Sequence, residues 1–546
     1  MNKEKLIYLF STAKKYKDDI KESYNETFKY TDVSFSIKDS DSKISTETRD
    51  VDSTILKSQS FLANFLMSSI FSKSGSWATL KVNQELYKNK NDSTEEVAES
   101  YARQIDEVLE QNSNIVYFTN DVTNYYTETA KAILDCIKVG TGIRKIIELK
   151  SNSKPFTYSY QNLDNIFILE DNLGKPNIIF KKYIEKNLED INDLFGHLGI
   201  KHPSTLTSEE NLEEKITIIE SIIGIFDENT TTYKYYHSIH TDNFEELLYE
   251  EELDYNPYTV FRWTVDSSNP WGIGIGRANL NLFKDLEEAK SKRKKHAEKI
   301  VTPPLNFYGS IDLINKASLK AGAKNYGGSG MNGDKYGVEP INIGTNLIPL
   351  NEDINDCRQR IREIYMAQPL GDVDDTRNRS ATEMSLRHEM FRKEFSTTYE
   401  LINTELLEPT FMNAYYILDK KGLLKTLEDN SYIDMSQIQY VNELTRSAGA
   451  DEVINVINFY NTVAQVVTEQ EREFIFKTPE LVEWASSKMR VPLSILNNKE
   501  EIDGLKQQQQ QLEQMQQLAL VQEQLGKKQD VGITDGIKKG VGNLEF

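Results

Sequence analysis

The sequence predicts a mostly helical α+β protein, and two features of it lead to that fold class. Long segments with the apolar spacing of helices dominate residues 1–150 and the chain after residue 277. Between them, short runs rich in Tyr, Ile and Phe are typical of strands. The 546 residues, of which 38% are hydrophobic, are enough for about three or four domains' worth of core.

The first half of the chain is predicted to combine helices with an antiparallel sheet. Residues 93–112 and 120–142 have helical spacing, and the second of these segments ends at Gly140. Residues 208–226, an acidic start followed by an isoleucine-rich run, are predicted to form a further helix. Strands are expected in three segments: 156–183, 230–240 and 258–265.

Two long helices flank a glycine-rich stretch in the second half of the chain. The first is predicted over 277–301, because Pro303 and Pro304 then end it. The second is predicted over 351–367, with Asn351 as its N-cap and a narrow apolar stripe on one face. The stretch between them, 320–344, is expected to form loops and short strands.

A third long helix is predicted to follow a loop. It begins at Ser380, where SATE has the spacing of a capping box, and ends at Pro409. Several helices are expected over 430–504. The segment 505–528 is rich in glutamine, with apolar residues spaced for a helix.

Charge and composition argue against several classes of protein. A formal charge of −21 is the opposite of the basic footprint of a conventional nucleic-acid-binding protein. It is compatible with a wall along which DNA slides, because acidic groups repel phosphate. The longest apolar patch, 61–71, is shorter than the roughly 20 residues that span a bilayer. We recognise no signal peptide, and two distant cysteines fit a reducing compartment.

The sequence contains no convincing catalytic, cofactor or metal motif. Gly272, Gly274 and Gly276 precede a helix, but Arg277 replaces the third glycine of the dinucleotide fingerprint. We therefore interpret these glycines as allowing a sharp bend. The segment DVDDTRNRSATE (372–383) starts like a calcium loop but lacks its obligatory glycine. With no Walker A, HExxH or GxSxG motif, we predict no enzyme activity, no catalytic residue, no cofactor and no metal.

Four patterns follow one another along the chain. In the first pattern, an Asp-rich start leads to a helix and a Trp. In the second, an Arg-Trp strand precedes a glycine turn, a helix and a Pro-Pro pair. In the third, a SATE sequence starts a long helix, and in the fourth, a Pro-containing turn precedes a glutamine-rich tail. Their segments are 49–82, 256–305, 379–391 and 489–517. In this order they resemble the portal, or head-to-tail connecting, proteins of short-tailed bacteriophages. Little of 84–255 matches that pattern.

The resemblance implies a ring, usually a dodecamer, at one capsid vertex of the virion, assembled in the host cytoplasm. Double-stranded DNA would pass through its axis during packaging and ejection. Terminase and then the tail adaptor protein would dock on it, the major capsid and scaffolding proteins would be further partners, and no membrane would be involved. Two alternatives remain open: another structural head or tail-adaptor protein without a DNA channel, and an enzyme with a diverged site.

The resemblance also implies a division of the chain. The parts are a wing (1–270), a stem helix (271–301), a clip (302–349), a second stem helix (350–367), a tunnel loop (368–380), a long wing helix and connection (381–430), a crown (431–504), and a glutamine-rich C-terminal helix with a flexible tail (505–546). Its DNA-proximal tunnel-loop residues would be Gln368, Asp372, Asp374, Asp375, Arg377, Asn378 and Arg379. Its clip residues would be Gly327, Gly328, Gly330, Asp334 and Tyr336.

The most basic short run, KSKRKKHAEK (290–299), lies within the first stem helix of this division. Two of its members interrupt an apolar stripe that begins at Leu280. Glu288 and Lys292 are four residues apart and can pair along the helix. We interpret the run as a stem or intersubunit surface, with a DNA-facing or a solvated surface as alternatives. The residues concerned are Lys290, Lys292, Arg293, Lys294 and Lys295.

Overall fold

The computed structural model describes most of the first 466 residues and a few positions beyond them. The described ranges are 2–33, 51–71, 77–82, 95–204, 215–227, 232–308, 337–341, 344–367, 396–426, 436–440 and 443–466, with isolated positions at 390–394 and between 481 and 515. The predicted tunnel loop, the tip of the predicted clip and most of the glutamine-rich tail lie outside them. The chain forms two compact units, 1–448 and 449–546, and the first of these carries the features below.

The described elements alternate between helices and strands. Up to residue 262 they are α1 (Lys3–Thr31), α2 (Ser53–Ile70), β1 (Ala78–Val82), α3 (Glu95–Val122), α4 (Tyr125–Val139), β2 (Thr141–Glu148), β3 (Phe156–Tyr160), β4 (Ile166–Leu169), β5 (Ile178–Lys186), α5 (Leu188–Phe195), β6 (Ile216–Asp227), β7 (Thr232–Thr241), β8 (Leu247–Leu253) and β9 (Tyr258–Arg262). After it they are α6 (Ile275–Ala278), α7 (Leu280–Val301), β10 (Leu305–Tyr308), β11 (Gly337–Pro340), α8 (Ile348–Ile364), α9 (Ser396–Ile402), a π turn (Asn403–Leu407), α10 (Glu408–Lys420), β12 (Ser436–Tyr440) and α11 (Glu443–Val466).

The strands form antiparallel sheets, as the sequence predicts. One has five strands in the order β4-β5-β6-β7-β8, and another has three in the order β3-β2-β9. The pairs β1–β12 and β10–β11 are two-stranded. β12 follows residue 431, and its partner β1 lies near the start of the chain. This arrangement confirms the mixed α and β class.

Four clusters of buried apolar side chains hold the described elements together. The largest lies where α2, α3, α4 and α10 meet the first turns of α7 and the buried face of α8. A second region forms where α1 packs on the five-stranded sheet, with the Phe10 ring edge-on to the rings of Phe167, Phe180 and Phe244. The helices therefore cover faces of the sheets that would otherwise expose apolar side chains to water.

The helix predicted over 208–226 is wrong in its described part, where β6 pairs with β5 and β7. Its isoleucines are β-branched, which favours strands over helices. Ile218, Ile219, Ile222 and Ile223 are all buried, so both faces of the strand are covered. A strand buried on both faces lacks the alternation that marks a half-exposed strand, and a short apolar run is then ambiguous between helix and strand.

The predicted helix end at Pro409 is also wrong. The helix continues through a π turn into α10 and ends at Lys420. Pro409 lies in the first turn of α10, directly after the π turn. The altered hydrogen bonding of a π turn accommodates the proline, whose missing N–H would interrupt a regular helix.

α8 begins at Ile348, three residues before the predicted start. Pro349 lies in its first turn, where proline is favoured, and the side chain of Asn346 accepts a hydrogen bond from the Ile348 N–H at 3.0 Å. Asn351 is therefore not the N-cap. Its side-chain oxygen instead accepts a hydrogen bond from Arg293 Nε at 2.7 Å, which joins α8 to α7.

Helix side chains complete the hydrogen bonding of two strand edges. Asn124 at the start of α4 accepts from the Tyr158 N–H at 2.9 Å and donates to the Tyr158 carbonyl at 2.7 Å. On α3, Asp106 accepts from the Val82 N–H at 2.8 Å. Burial raises the pKa of Asp106 to about 6, although this hydrogen bond favours the charged form. Because edge strands otherwise expose unpaired backbone groups, these contacts also protect β1 and β3 from pairing with other chains.

The glycines that follow β9 allow a close backbone contact. A Cβ atom at Gly272 would lie 2.1 Å from the carbonyl oxygen of Gly140, the αL residue that ends α4. A Cβ at Gly274 would lie 2.5 Å from the Gly140 nitrogen. The chain bends here into α6 as predicted, and the contact with the end of α4 explains why that bend needs glycine.

Candidate stem helices and buried ion clusters

α7 and α8 form an antiparallel pair, which we call the helix pair. Phe283, near the start of α7, stacks on Tyr365 just after α8, with ring centroids 6.4 Å apart. Arg293, in the second half of α7, contacts Asn351 near the start of α8. The early part of one helix thus lies beside the late part of the other. These are the two segments predicted to be stem helices.

Asp52, the N-cap of α2, connects the helix pair to the rest of the first unit. Its Oδ1 accepts from the Thr54 N–H at 2.9 Å. Its Oδ2 lies 2.9 Å from Arg358 Nη2 on α8 and 3.3 Å from Lys290 Nζ on α7. Burial would raise the pKa of Asp52, but the hydrogen bonds from Arg358 and Thr54 outweigh it and hold this pKa well below its usual range. One carboxylate therefore links three helices.

Replacing Asp52 with Asn should lower the free energy of unfolding by about 1–2 kcal/mol, because Asn still caps α2 but cannot pair with two cations. The folded pKa of Asp52 lies below the unfolded value. Its contribution is therefore present above that unfolded value, about pH 4, and is lost as the pH falls through the folded pKa. Thermal melts at pH 7 and pH 3.5 measure the stability difference between the wild type and Asp52→Asn and the decrease of that difference at low pH. The exposed Asp353→Asn variant is the control, and equal melting of D52N and D353N at pH 7 would contradict this role.

The strands at the base of the predicted clip lie next to the helix pair in sequence, with β10 directly after α7 and β11 shortly before α8. β10 and β11 form an antiparallel ribbon in which Leu305 is opposite Pro340 and Tyr308 is opposite Gly337. The Ile341 N–H donates to the Pro304 carbonyl at 2.8 Å and extends this pairing. The segment between α7 and α8 is therefore closed at its base. The predicted clip residues, from Gly327 to Tyr336, lie outside the described residues.

The predicted stem residues divide into two groups. Lys290 and Arg293, which interrupt the apolar stripe, contact Asp52 and Asn351 of the same chain. The other three, Lys292, Lys294 and Lys295, are exposed. Lys292 Nζ lies 2.7 Å from Glu288 Oε1, so the predicted pairing along the helix is confirmed. The predicted tunnel-loop residues, from Gln368 to Arg379, lie outside the described part of the chain.

Arg262, at the end of β9, is a buried cation with several acceptors. Its guanidinium pairs with the carboxylates of Glu405 and Glu170 and donates to the Pro270 carbonyl at 3.1 Å. Its backbone N–H also donates to Glu405 at 2.9 Å. Burial alone would lower the pKa of Arg262, but these carboxylates raise it, and the side chain stays charged. The cluster fixes the π turn, which carries Glu405, to β9.

Glu220 on β6 is a buried anion with four side-chain donors. Oε1 lies 2.6 Å from Lys145 Nζ and 2.9 Å from His237 Nε2. Oε2 accepts from the hydroxyls of Tyr183 at 2.8 Å and Tyr258 at 2.7 Å. Lys145 and Tyr258 belong to the three-stranded sheet, and the other residues belong to the five-stranded sheet. The carboxylate therefore joins the two sheets.

Sequence reasoning missed both ion clusters, although the sequence contains a signal for each. Arg262 stands in the apolar run YTVFRW, and Glu220 stands in ITIIESII. A charged residue inside such a run must be buried with a partner or lie at a strand position facing water. The partner positions could not be predicted, because Glu405 follows Arg262 by 143 residues.

The described residues contain no group of acidic, His or Cys side chains arranged to hold a metal ion. Across the same part of the chain, we find no helix long and apolar enough to cross a bilayer. His237 and His240, both on β7, are buried; His237 contacts Glu220, and His240 packs edge-on to the Phe244 ring. The charged clusters described above hold elements of the fold together.

The described elements form a mixed α and β unit with an antiparallel helix pair, and the β10–β11 ribbon closes the base of the segment that connects the two helices. The family model of the bacteriophage head to tail connecting protein matches residues 3–496. The chain therefore belongs to that family, which is structural and not enzymatic, and the predicted resemblance is confirmed. Membership gives it a connector role at the head–tail junction of the phage virion.

A second comparison finds a weaker similarity to Protein MLP2 of Saccharomyces cerevisiae. The two are 25% identical over 207 residues, which is 36% of this chain. The match spans only 12% of the yeast protein. It covers too little of either chain to indicate a shared architecture.

Proposed function

We propose that this chain forms a ring, a dodecamer, at one capsid vertex, and that double-stranded genome DNA passes through its axis during packaging and ejection. Family membership supports the connector role. The observation that carries the ring proposal is the helix pair, from whose end the segment 302–347 departs and returns. An antiparallel pair of this kind is suited to form the wall of a channel when copies stand side by side.

The charge of the chain suits a channel that DNA traverses without adhering. Twelve copies would carry a formal charge of −252, twelve times −21. An acidic wall weakens the phosphate contacts that make DNA binding tight and salt-dependent. We propose that Arg377 and Arg379 of the tunnel loop, beside three aspartates, supply weak local contacts with the backbone.

The segment 302–349 is proposed to dock terminase during packaging and the tail adaptor protein afterwards. In support, β10 and β11 pair at the base of this segment, directly after α7 and shortly before α8. The major capsid and scaffolding proteins would surround the ring during assembly in the host cytoplasm. No step of this function requires a cofactor or a reacting residue.

Mass photometry and negative-stain electron microscopy of the purified chain test this function. We expect a particle of about 750 kDa, twelve times the chain mass of 62.8 kDa, with an axial hole in end-on views. A stable monomer across micromolar concentrations would contradict the ring. A large particle without an axial hole would contradict the DNA channel and favour a head or adaptor protein of another kind.

A further inference from the structure

The helix pair carries a basic stripe on α7, and among the described residues only Lys292 of this stripe has an ion-pair partner, Glu288 of the same helix. Lys292, Lys295 and Lys299 of α7 are exposed and are spaced by three and then four residues, so they share one helix face. Phe283 and Lys290, which contact Tyr365 and Asp52, lie on the opposite face of α7. The basic stripe therefore points away from α8.

α8 carries an acidic stripe in its first half. Glu352 and Asp356 are exposed and four residues apart, so they share a face. Ile354 and Ile361, which are 5% and 0% exposed, lie on the opposite face and pack into the core. The acidic stripe therefore points outward from α8, and both stripes belong to the half of the helix pair nearest the clip.

The outward charges on the two helices have no ion-pair partner among the described residues. This applies to Lys295, Lys299, Glu352 and Asp356. At the same end of the pair, two large apolar side chains are strongly exposed, Val301 by 81% and Ile348 by 62%. A single chain thus presents a basic face, an acidic face and an uncovered apolar end on adjacent helices.

We propose that the basic stripe of α7 in one copy docks on the acidic stripe of α8 in the next copy. Charge complementarity identifies the docking partner as a second copy of this chain, because one chain carries the basic stripe and the acidic stripe on different faces. Such a contact is head-to-tail, so it repeats around a ring and does not stop at a dimer. Val301 and Ile348 would be covered at the same junction. This inference rests on the proposed ring and names the surface that builds it.

Charge reversal with a mixing step tests this contact. The variant Lys295→Glu/Lys299→Glu has acidic side chains on the outward faces of both helices. The variant Glu352→Lys/Asp356→Lys has basic side chains on both. Each alone should lose at least about tenfold in the concentration-dependent formation of rings, because like charges then meet. The variant that carries all four substitutions should form rings by itself, since its stripes are complementary again.

Mixing the two reversed variants in equal amounts gives a second readout. The acidic faces of one variant match the basic faces of the other, so rings with alternating copies should form, and they close only if the copy number is even. Mass photometry and electron microscopy report both results. The matched control for the lysine variant is Lys154→Glu/Lys201→Glu, which makes the same change in net charge at exposed loop positions and should assemble normally.

The outcomes separate this inference from the proposed function. If the wild-type chain is monomeric, the proposed ring fails, and the inference fails with it. If the wild-type chain forms rings and both reversed variants do too, the ring stands and the stripe contact is overturned. The stripe contact is overturned as well if ring formation is unchanged while DNA retention falls in the lysine variant, since the basic stripe would then face DNA. Loss of rings in all variants, including the fourfold one, also overturns it.

Discussion

Replacing Arg262 with Met is expected to lower the free energy of unfolding by about 3–5 kcal/mol, because it leaves a buried carboxylate without its cation. The side chain of Arg262 is 2% exposed and that of Glu405 is 9% exposed, so water cannot replace the lost pairing. Met keeps the aliphatic bulk and removes the charge. Chemical denaturation monitored by circular dichroism measures the loss, and hydrogen exchange should show faster opening of residues 396–420.

Two further variants make this test specific. Arg360→Met removes an exposed guanidinium from α8 and should change stability by less than about 1 kcal/mol. Arg262→Met/Glu405→Met removes both charges and should recover part of the loss, since a buried ion pair can often be replaced by apolar side chains at little cost. If Arg262→Met and Arg360→Met unfold alike, Arg262 does not hold the π turn to β9.

Local patterns were sufficient to predict most individual elements. The end of α4 at Gly140, the strands within 156–183, 230–240 and 258–265 and the helix 277–301 all depend on nearby residues. α7 differs from its prediction only by the break at Asn279, which separates it from α6. Prediction failed where a distant contact decides the conformation, as in β6, which is a strand because β5 and β7 cover its edges.

The two helices of the predicted stem were found from sequence, but the contacts of their charged residues were not. The order of helix, glycine-rich segment and helix is a property of the chain that a resemblance can match. Which lysines face inward depends on Asp52, a residue 238 positions before Lys290 in the sequence. That contact turns an apparently misplaced charge into an internal ion pair, whereas Lys295 and Lys299 are exposed. Tertiary contacts of this kind carry no local signature.

Replacing Glu220 with Gln is expected to lower the free energy of unfolding by about 3–5 kcal/mol, because Lys145 would stay buried without a counter-charge. The side chains of Glu220 and Lys145 are 0% and 12% exposed. Gln can accept hydrogen bonds from two of the four donors through its single oxygen, so the tyrosine hydroxyls also lose partners. Because the cluster joins the two sheets, the three-stranded sheet should show faster hydrogen exchange in the variant.

The pH dependence of this variant has a defined sign. Burial would raise the pKa of Glu220, but attraction to Lys145 and the hydrogen bond from His237 hold it well below its usual range. The stabilising contribution of Glu220 is therefore present above the unfolded pKa, about 4.3, and is lost as the pH falls through the folded pKa. The difference in unfolding free energy between the wild type and Glu220→Gln should narrow below about pH 4.

The control for Glu220→Gln is the same substitution on another strand of the five-stranded sheet. Glu252 on β8 pairs with Lys234 at 2.9 Å, but the two side chains are 45% and 50% exposed. Water solvates both partners when this pair is removed, so Glu252→Gln should cost less than about 1 kcal/mol. Both variants delete one negative charge from the same sheet, but Glu220 is buried and joins the two sheets, whereas Glu252 pairs with an exposed lysine of the next strand. Equal stability of the two variants would mean that Glu220 is not the residue that joins the sheets.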